Sequence, residues 1–219
     1  MTDKKIVEKA VLDYCNAAAN LYGFIPVRKL FEIYNSQNDP LTEKELCDTL
    51  EKILTEPRNF DLFSKEELES GEPETDDTPT LEKILLAEYL YIMGDFDDYY
   101  ELEEKIRGLP YHILEKDKFL KYTDELYVEK TLEFISLRAY FRSISELSRE
   151  EADDFALDAA YTMRLFDNSP EMILQRMKAT KTEPKNRREL ERFLRLCHDM
   201  GCKLRLASLR GATTEELLN

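Results

Sequence analysis

The spacing of apolar residues predicts a helix–turn–helix unit at the start of the chain. Apolar positions recur every three to four residues over 4–21 and again over 26–36, which is typical of amphipathic helices. Gly23 can adopt the left-handed conformation that ends a helix, and Pro26 suits the first position of the next helix because that position needs no N–H donor. We therefore expect a helical joint between these two segments.

A third helix and a strand are predicted immediately afterwards. Thr42-x-x-Glu45 has the form of a capping box and predicts a helix that runs to about residue 55. The alternation of apolar and polar residues in Phe60–Phe63 predicts a short strand. Three helices followed by a strand is the order of a winged helix, although no second wing strand is evident in the sequence.

The rest of the pattern is helical. The segment 66–79 is acidic, contains glycine and two prolines, and is expected to be an exposed loop or linker. The segment 81–93 is apolar on nearly all sides, which predicts a helix central to a core or an interface. Further helices are predicted over 99–107, 116–125, 127–143, 148–166, 169–180, 187–200 and from 213 onward.

These patterns predict a mainly α protein with a small N-terminal module. We expect a three-helix, winged-helix-like module with a short strand or hairpin at 1–65, and a linker at 66–79. An α-helical bundle at 80–219 would then pack on the first module. Six glycines and eight prolines in 219 residues favour long helices over a turn-rich β fold.

The net charge changes sign along the chain. The whole sequence carries a formal charge of −15. Residues 59–106 hold 16 Asp/Glu against 3 Lys/Arg, whereas residues 160–212 hold 12 Lys/Arg against 6 Asp/Glu. Two solvated faces of opposite sign would explain this pattern. Alternatively, the basic end could meet the acidic middle or an external anion.

The predicted third helix is a poor match for DNA. Its polar positions between 43 and 56 carry five acidic residues and two lysines, which opposes phosphate contact, and no arginine is present to read guanine. A basic cluster lies instead around the last two long helices, and three of its arginines share one helical face. The candidate residues for binding an anion or a partner are Lys178, Lys181, Lys185, Arg187, Arg188, Arg192 and Arg195.

The sequence contains no recognisable catalytic, cofactor or metal motif. Cys197, His198 and Cys202 do not have the spacing of a zinc finger, and no phosphate-binding loop, nucleophile elbow or HExxH motif is present. We therefore expect no enzyme activity, no cofactor and no metal. A hydrolase would require a concave pocket of converging acidic residues that the sequence does not reveal.

Three stretches carry a resemblance to a known family. They are LYGFIPVRKLFEIYN, LPYHILEKDKFLKYTDELYVEKT and SLRGATTEELLN, and they occur in this order along the chain. Together they resemble a family of uncharacterised helical proteins from Gram-positive bacteria and their mobile elements. Some relatives carry a cysteine- and histidine-rich SEC-C tail, which binds zinc. No such segment is present here, so the resemblance implies a shared fold and no metal site.

The leading functional expectation is a non-enzymatic cytoplasmic protein-interaction or regulatory protein. The polar start and the absence of a long apolar segment lead us to expect no membrane contact and reduced thiols. A protein partner is expected, and a homo-oligomer is compatible with the pattern. The alternative is a DNA-binding regulator that uses the basic C-terminal helices.

Overall fold

The structure is a computed structural model that describes residues 2–71, 78–91, 95–144, 146–165 and 169–218. It is mainly α-helical and divides into two compact units, Met1–Tyr127 and Val128–Asn219. The helices of the first unit are α1 (Thr2–Tyr22), α2 (Val27–Gln37), α3 (Glu43–Ile53), α4 (Lys65–Ser70), α5 (Asp97–Lys105) and α6 (Lys116–Phe119). The helices of the second unit are α7 (Leu132–Arg142), α8 (Arg149–Leu165), α9 (Pro170–Ala179), α10 (Arg187–Gly201) and α11 (Thr214–Leu218).

The first helix ends next to Gly23, as predicted, and a short strand lies between it and the second helix. Helix α1 ends at Tyr22, and Gly23 follows with a φ of +73°, in the left-handed region that glycine adopts most readily. The apolar residues after it form strand β1 (Phe24–Pro26). The sequence predicted Pro26 as the first residue of the second helix. In the structure α2 begins at Val27, one residue later, and Pro26 is its N-cap.

Helix α3 begins with the predicted capping box. The Glu45 backbone N–H donates to Thr42 Oγ1 at 3.3 Å, and the Thr42 N–H donates to Glu45 Oε2 at 2.8 Å. These reciprocal bonds satisfy donors that the first turn of a helix leaves without partners. The predicted strand is also present as β2 (Phe60–Phe63).

The segment 84–87 is a strand, so the helix predicted over 81–93 is wrong in its described part. Strand β3 (Ile84–Ala87) lies between β1 and β2 and is antiparallel to both. All four of its side chains are buried, which explains why apolar residues follow one another without alternation. Short 3₁₀ turns flank the strand. The end of the predicted helix, at 92–93, lies outside the described residues.

The compact units divide the chain at a different place from the predicted boundary near 80. Strand β3 completes the N-terminal sheet, and the chain after it is fixed to α1 and α2. Asn20 Nδ2 donates to the Tyr122 carbonyl at 2.8 Å, and Gln37 Nε2 donates to the Leu114 carbonyl at 2.8 Å. Residues 80–127 therefore belong to the first unit.

The predicted linker 66–79 begins as a helix. Ser64 and Glu67 form a second capping box at the start of α4. Leu68 on that helix is buried, so this part of the segment is not an exposed linker. The remainder of the predicted linker includes residues 72–77, which lie outside the described residues.

The second unit has a core built around α7, α8 and α10. Phe141 is fully buried, and its ring lies 5.2 Å from that of Phe155 and 6.3 Å from that of Phe193. Buried alanines on α8 allow neighbouring helices to approach closely: Ala152, Ala156, Ala159 and Ala160. The predicted capping box at Ser148 opens α8. The end of the helix predicted to reach residue 166 lies outside the described residues.

Two of the predicted helices are shorter than their patterns suggested. The segment 116–125 contains α6 followed by a 3₁₀ turn, Leu120–Thr123. The helix predicted from 127 begins only at Leu132, where Thr131 provides the N-cap. Among the described helices, none combines the length and the apolar character needed to cross a bilayer.

Candidate functional site

The exposed face of α3 is acidic. Four acidic residues and two lysines of this helix are exposed to solvent: Glu43, Lys44, Glu45, Asp48, Glu51 and Lys52. Hydrogen bonds from the backbone and hydroxyl of Thr42 lower the pKa of Glu45, so this carboxylate stays ionised. We call these six residues the α3 face. It presents more negative than positive charge to any partner.

A cleft adjoins the α3 face. It has a volume of about 420 Å³ and lies between the start of α1 and α3. Val7 and Leu41 supply apolar surface, while Glu8 and Lys52 form an ion pair at its edge. Six of its eight lining residues are polar or charged, so the cleft is a charged recess with a small apolar part.

The structure places the seven candidate basic residues in one stretch of the second unit. Lys178 lies on α9, and Lys181 lies in the following turn with a φ of +58°. Lys185 precedes α10, and all seven residues are exposed. The four arginines of the set lie on α10: Arg187, Arg188, Arg192 and Arg195.

Two of the seven residues are paired within their own unit. Lys185 Nζ lies 2.6 Å from Glu146 Oε1, and this hydrogen bond raises the pKa of the lysine. Arg187 Nε lies 2.8 Å from Glu191 Oε1 on the next turn of α10. Neither partner comes from the acidic segment 59–106. The other five residues make no ion pair with any residue that the structure describes.

Arg192 has a more specific environment than the other unpaired arginines. Its guanidinium lies over the ring of Tyr140 on α7, 5.6 Å from the ring centroid. Both residues line a cavity of about 210 Å³, which also includes Lys185 and Glu189. The sequence identified Arg192 by its charge, but Tyr140 is 52 positions away and nothing in the pattern linked the two.

A buried arginine of the second unit, Arg205, is not among the residues that the sequence pattern singled out. The Arg205 side chain is 7% exposed and lies close to two carboxylates. It donates to Glu129 Oε1 at 3.1 Å, to Glu216 Oε2 at 2.7 Å and to the Gly211 carbonyl at 3.1 Å. Burial lowers the pKa of Arg205, but these acidic partners outweigh burial and raise it overall. The available signal was the Thr213-x-x-Glu216 capping box, which fixes one of the partners.

The two cysteines and the histidine near the end of α10 do not all come together; His198 lies near Cys202 but not near Cys197. Cys197 is buried, whereas His198 is exposed on another side of the helix. Cys202 Sγ lies 3.9 Å from His198 Nε2. Within the described part of the chain, no group of three or more metal-ligating side chains comes together.

Comparisons with known proteins give no match: no family model, no curated protein and no solved structure is similar to this chain. The family resemblance based on the three quoted stretches therefore stays a prediction.

Proposed function

We propose that this is a non-enzymatic cytoplasmic protein-interaction or regulatory protein whose N-terminal unit is a winged-helix module that docks on another protein. The order of elements in that unit supports the winged-helix part. It reads α1, β1, α2, α3, β2, α4, β3, so a short helix is inserted between the two strands that would form the wing, and β3 lies between the other two strands. In such a module, the helix before the two wing strands is the usual contact element.

The charge of the α3 face is the observation that carries the proposal. Duplex DNA presents about one negative charge per 1.7 Å of its axis, so a bound helix needs basic side chains towards it. The α3 face instead presents four carboxylates and two lysines; Lys52 is paired with Glu8 and Glu43 with Arg28, which leaves three carboxylates and one lysine. A protein partner with a basic surface fits this face better than a nucleic acid.

The cleft beside α3 gives the same partner a place for an apolar side chain. Interfaces are stabilised mainly by a few anchors that fill pockets, while the charged rim governs specificity and the rate of association. Val7 and Leu41 are the apolar lining residues, and Asp48 lies at the boundary between cleft and α3 face. We therefore propose a partner that offers an apolar anchor surrounded by basic residues.

A DNA-binding regulator remains the second candidate because five basic residues in the second unit are exposed and unpaired among the described residues. They are Lys178, Lys181, Arg188, Arg192 and Arg195. Arg188, Arg192 and Arg195 lie along one side of α10 and could follow a phosphate backbone.

Binding of the full chain to random duplex DNA at low salt separates the two candidates. The Arg188→Ala/Arg192→Ala/Arg195→Ala variant is compared with Lys5→Ala/Lys44→Ala/Lys65→Ala, which removes the same charge from exposed positions of the first unit. The proposal expects weak binding that does not distinguish the two variants. Tight binding that weakens steeply with salt and is lost only in the arginine variant would support the DNA-binding candidate instead.

A further inference from the structure

We propose that the cavity lined by Tyr140 and Arg192 binds a carboxylate group. We call it the Arg192 cavity. It lies in the second unit, between the C-terminal end of α7 and the first turns of α10. The inference does not depend on the proposed function, because it rests on a different unit and on different residues.

The geometry of Arg192 is the first observation. Its guanidinium lies over the Tyr140 ring at 5.6 Å, which is within the range of a cation–π contact. The guanidinium carries five N–H donors. Those N–H groups make no hydrogen bond with any residue that the structure describes. The side chain is thus oriented by one aromatic contact while its donors stay available.

A planar, singly charged ligand fits such an arginine. Guanidinium and carboxylate groups are matched in shape and form two parallel N–H···O bonds, which are stronger than bonds between neutral groups. The Tyr140 hydroxyl can add a third donor, since it makes no hydrogen bond within the described residues. Burial and the charge of Glu189 raise the pKa of Tyr140, so its hydroxyl keeps its proton at neutral pH.

The charge balance of the cavity favours one negative charge over two. Lys185 and Glu146 neutralise each other at 2.6 Å. Glu189 is occupied in capping α10, where its oxygens accept from the Lys185 N–H and from Asn186 Nδ2, both at 2.8 Å. The lining as a whole carries three carboxylates, those of Glu146, Glu183 and Glu189, against the two cations Lys185 and Arg192, so its net charge is −1. A phosphate dianion would meet these carboxylates with more repulsion than a carboxylate would.

The size of the cavity limits what enters it. Its volume of about 210 Å³ is below the range of roughly 300–1,000 Å³ typical of pockets for drug-sized ligands. A small free acid or the acidic side chain of a peptide would fit, and the two share the same chemistry. The experiment below therefore distinguishes a free acid from the acidic side chain of a peptide.

The test is a titration of the isotope-labelled full chain, followed by amide and Arg Nε–H nuclear magnetic resonance. The probes are sodium acetate, a blocked tripeptide with one glutamate, the same tripeptide with glutamine, and inorganic phosphate. Arg192→Ala removes the proposed anchor. Arg195→Ala removes the same charge from an exposed position three residues further along α10 and is the matched control.

We expect acetate or the glutamate peptide to shift Arg192 and its cavity neighbours saturably, with no response to the glutamine peptide. Arg192→Ala should weaken binding about tenfold or more, whereas Arg195→Ala should leave it within about twofold. Acetate binding would assign the site to small acids, and binding of the peptide alone would assign it to acidic side chains.

Three results would overturn the proposal. They are the absence of saturable shifts with both carboxylate probes, equal weakening by the two arginine variants, and tighter binding of phosphate than of either carboxylate. Arg192→Lys guards against a folding defect in the alanine variant. It keeps the charge but not the two-pronged geometry, so it should also bind more weakly than the wild type.

Discussion

At Gly23 the chain leaves α1 and enters β1 with a φ of +73°, close to two side chains of the same unit. A Cβ atom at this position would lie 2.7 Å from Tyr89 Oη and 2.9 Å from Leu102 Cδ2. The backbone conformation therefore favours glycine, and the ends of two side chains would have to shift to admit a Cβ atom.

Gly23→Ala should lower the free energy of unfolding by about 3 kcal/mol, because conformational strain and steric crowding add. Urea unfolding followed by circular dichroism measures the change. Gly108→Ala is the matched control, since Gly108 has a φ of +81° but no neighbouring atom within 4 Å of the added Cβ. It should cost only about 1 kcal/mol. Equal losses for the two variants would show that crowding at Gly23 contributes nothing.

The four cysteines should differ sharply in reactivity. Cys15 and Cys197 are 0% and 1% exposed, and burial raises the pKa of each thiol to about 12. Cys47 and Cys202 are only partly buried. Burial, and next the charge of Glu51, also raise the pKa of Cys47. Because the thiolate is the reactive form, iodoacetamide at pH 8 should label Cys202 first and Cys47 more slowly, and should spare the other two until the protein unfolds. Peptide mass mapping measures this, and rapid native labelling of Cys15 would contradict the packing of α1.

At the scale of secondary-structure elements, β3 holds the N-terminal sheet together. It pairs with β1 on one side and with β2 on the other, and Leu85 at its centre is fully buried. Because β3 is hydrogen-bonded along both of its edges, disrupting it removes both strand pairings at once.

Leu85→Ala should destabilise the protein by about 2–5 kcal/mol, the usual cost of a cavity in a well-packed core. Ile113→Ala provides the control, because Ile113 belongs to the same unit but is 46% exposed. Its cost should stay within about 0.5 kcal/mol. Thermal or urea unfolding compares the two, and a Leu85→Ala cost as small as that of the control would show that β3 is not in the core.

Elements defined by local chemistry were predictable from the sequence. The capping boxes at Thr42 and Ser148 involve residues three positions apart, so their spacing is visible in the sequence and the helices begin where it predicted. The identity of β3 was not predictable in this way. Four consecutive buried apolar residues are compatible with a helix or a strand, and only pairing with β1 and β2, 60 and 24 positions earlier, decides between them.

The candidate site shows the same division between local and distant information. The charge and helical spacing of Arg188, Arg192 and Arg195 were readable from the sequence. The contact of Arg192 with Tyr140, and the cavity that the two residues line, depend on the packing of α7 against α10. The sequence could therefore identify a basic stretch but could not single out one arginine within it.

At the scale of the whole molecule, the two units carry different surfaces. The acidic segment 59–106 belongs to the first unit, and the basic segment 160–212 belongs to the second. Where basic residues of the second unit are paired, their described partners also lie in that unit, as Lys185 with Glu146 and Arg205 with Glu216 show. The second unit thus satisfies these charges internally.

The most direct test of protein docking through α3 is quantitative affinity capture from nuclease-treated extract of the native host. Asp48→Lys/Glu51→Lys reverses the charge of the α3 face. Glu101→Lys/Glu104→Lys makes the same change at exposed positions of α5 in the same unit. We predict a protein that is retained by the wild type and the α5 variant and lost by the α3 variant. Equal retention by all three chains would contradict the proposal. So would capture of proteins only from a parallel extract that was not treated with nuclease.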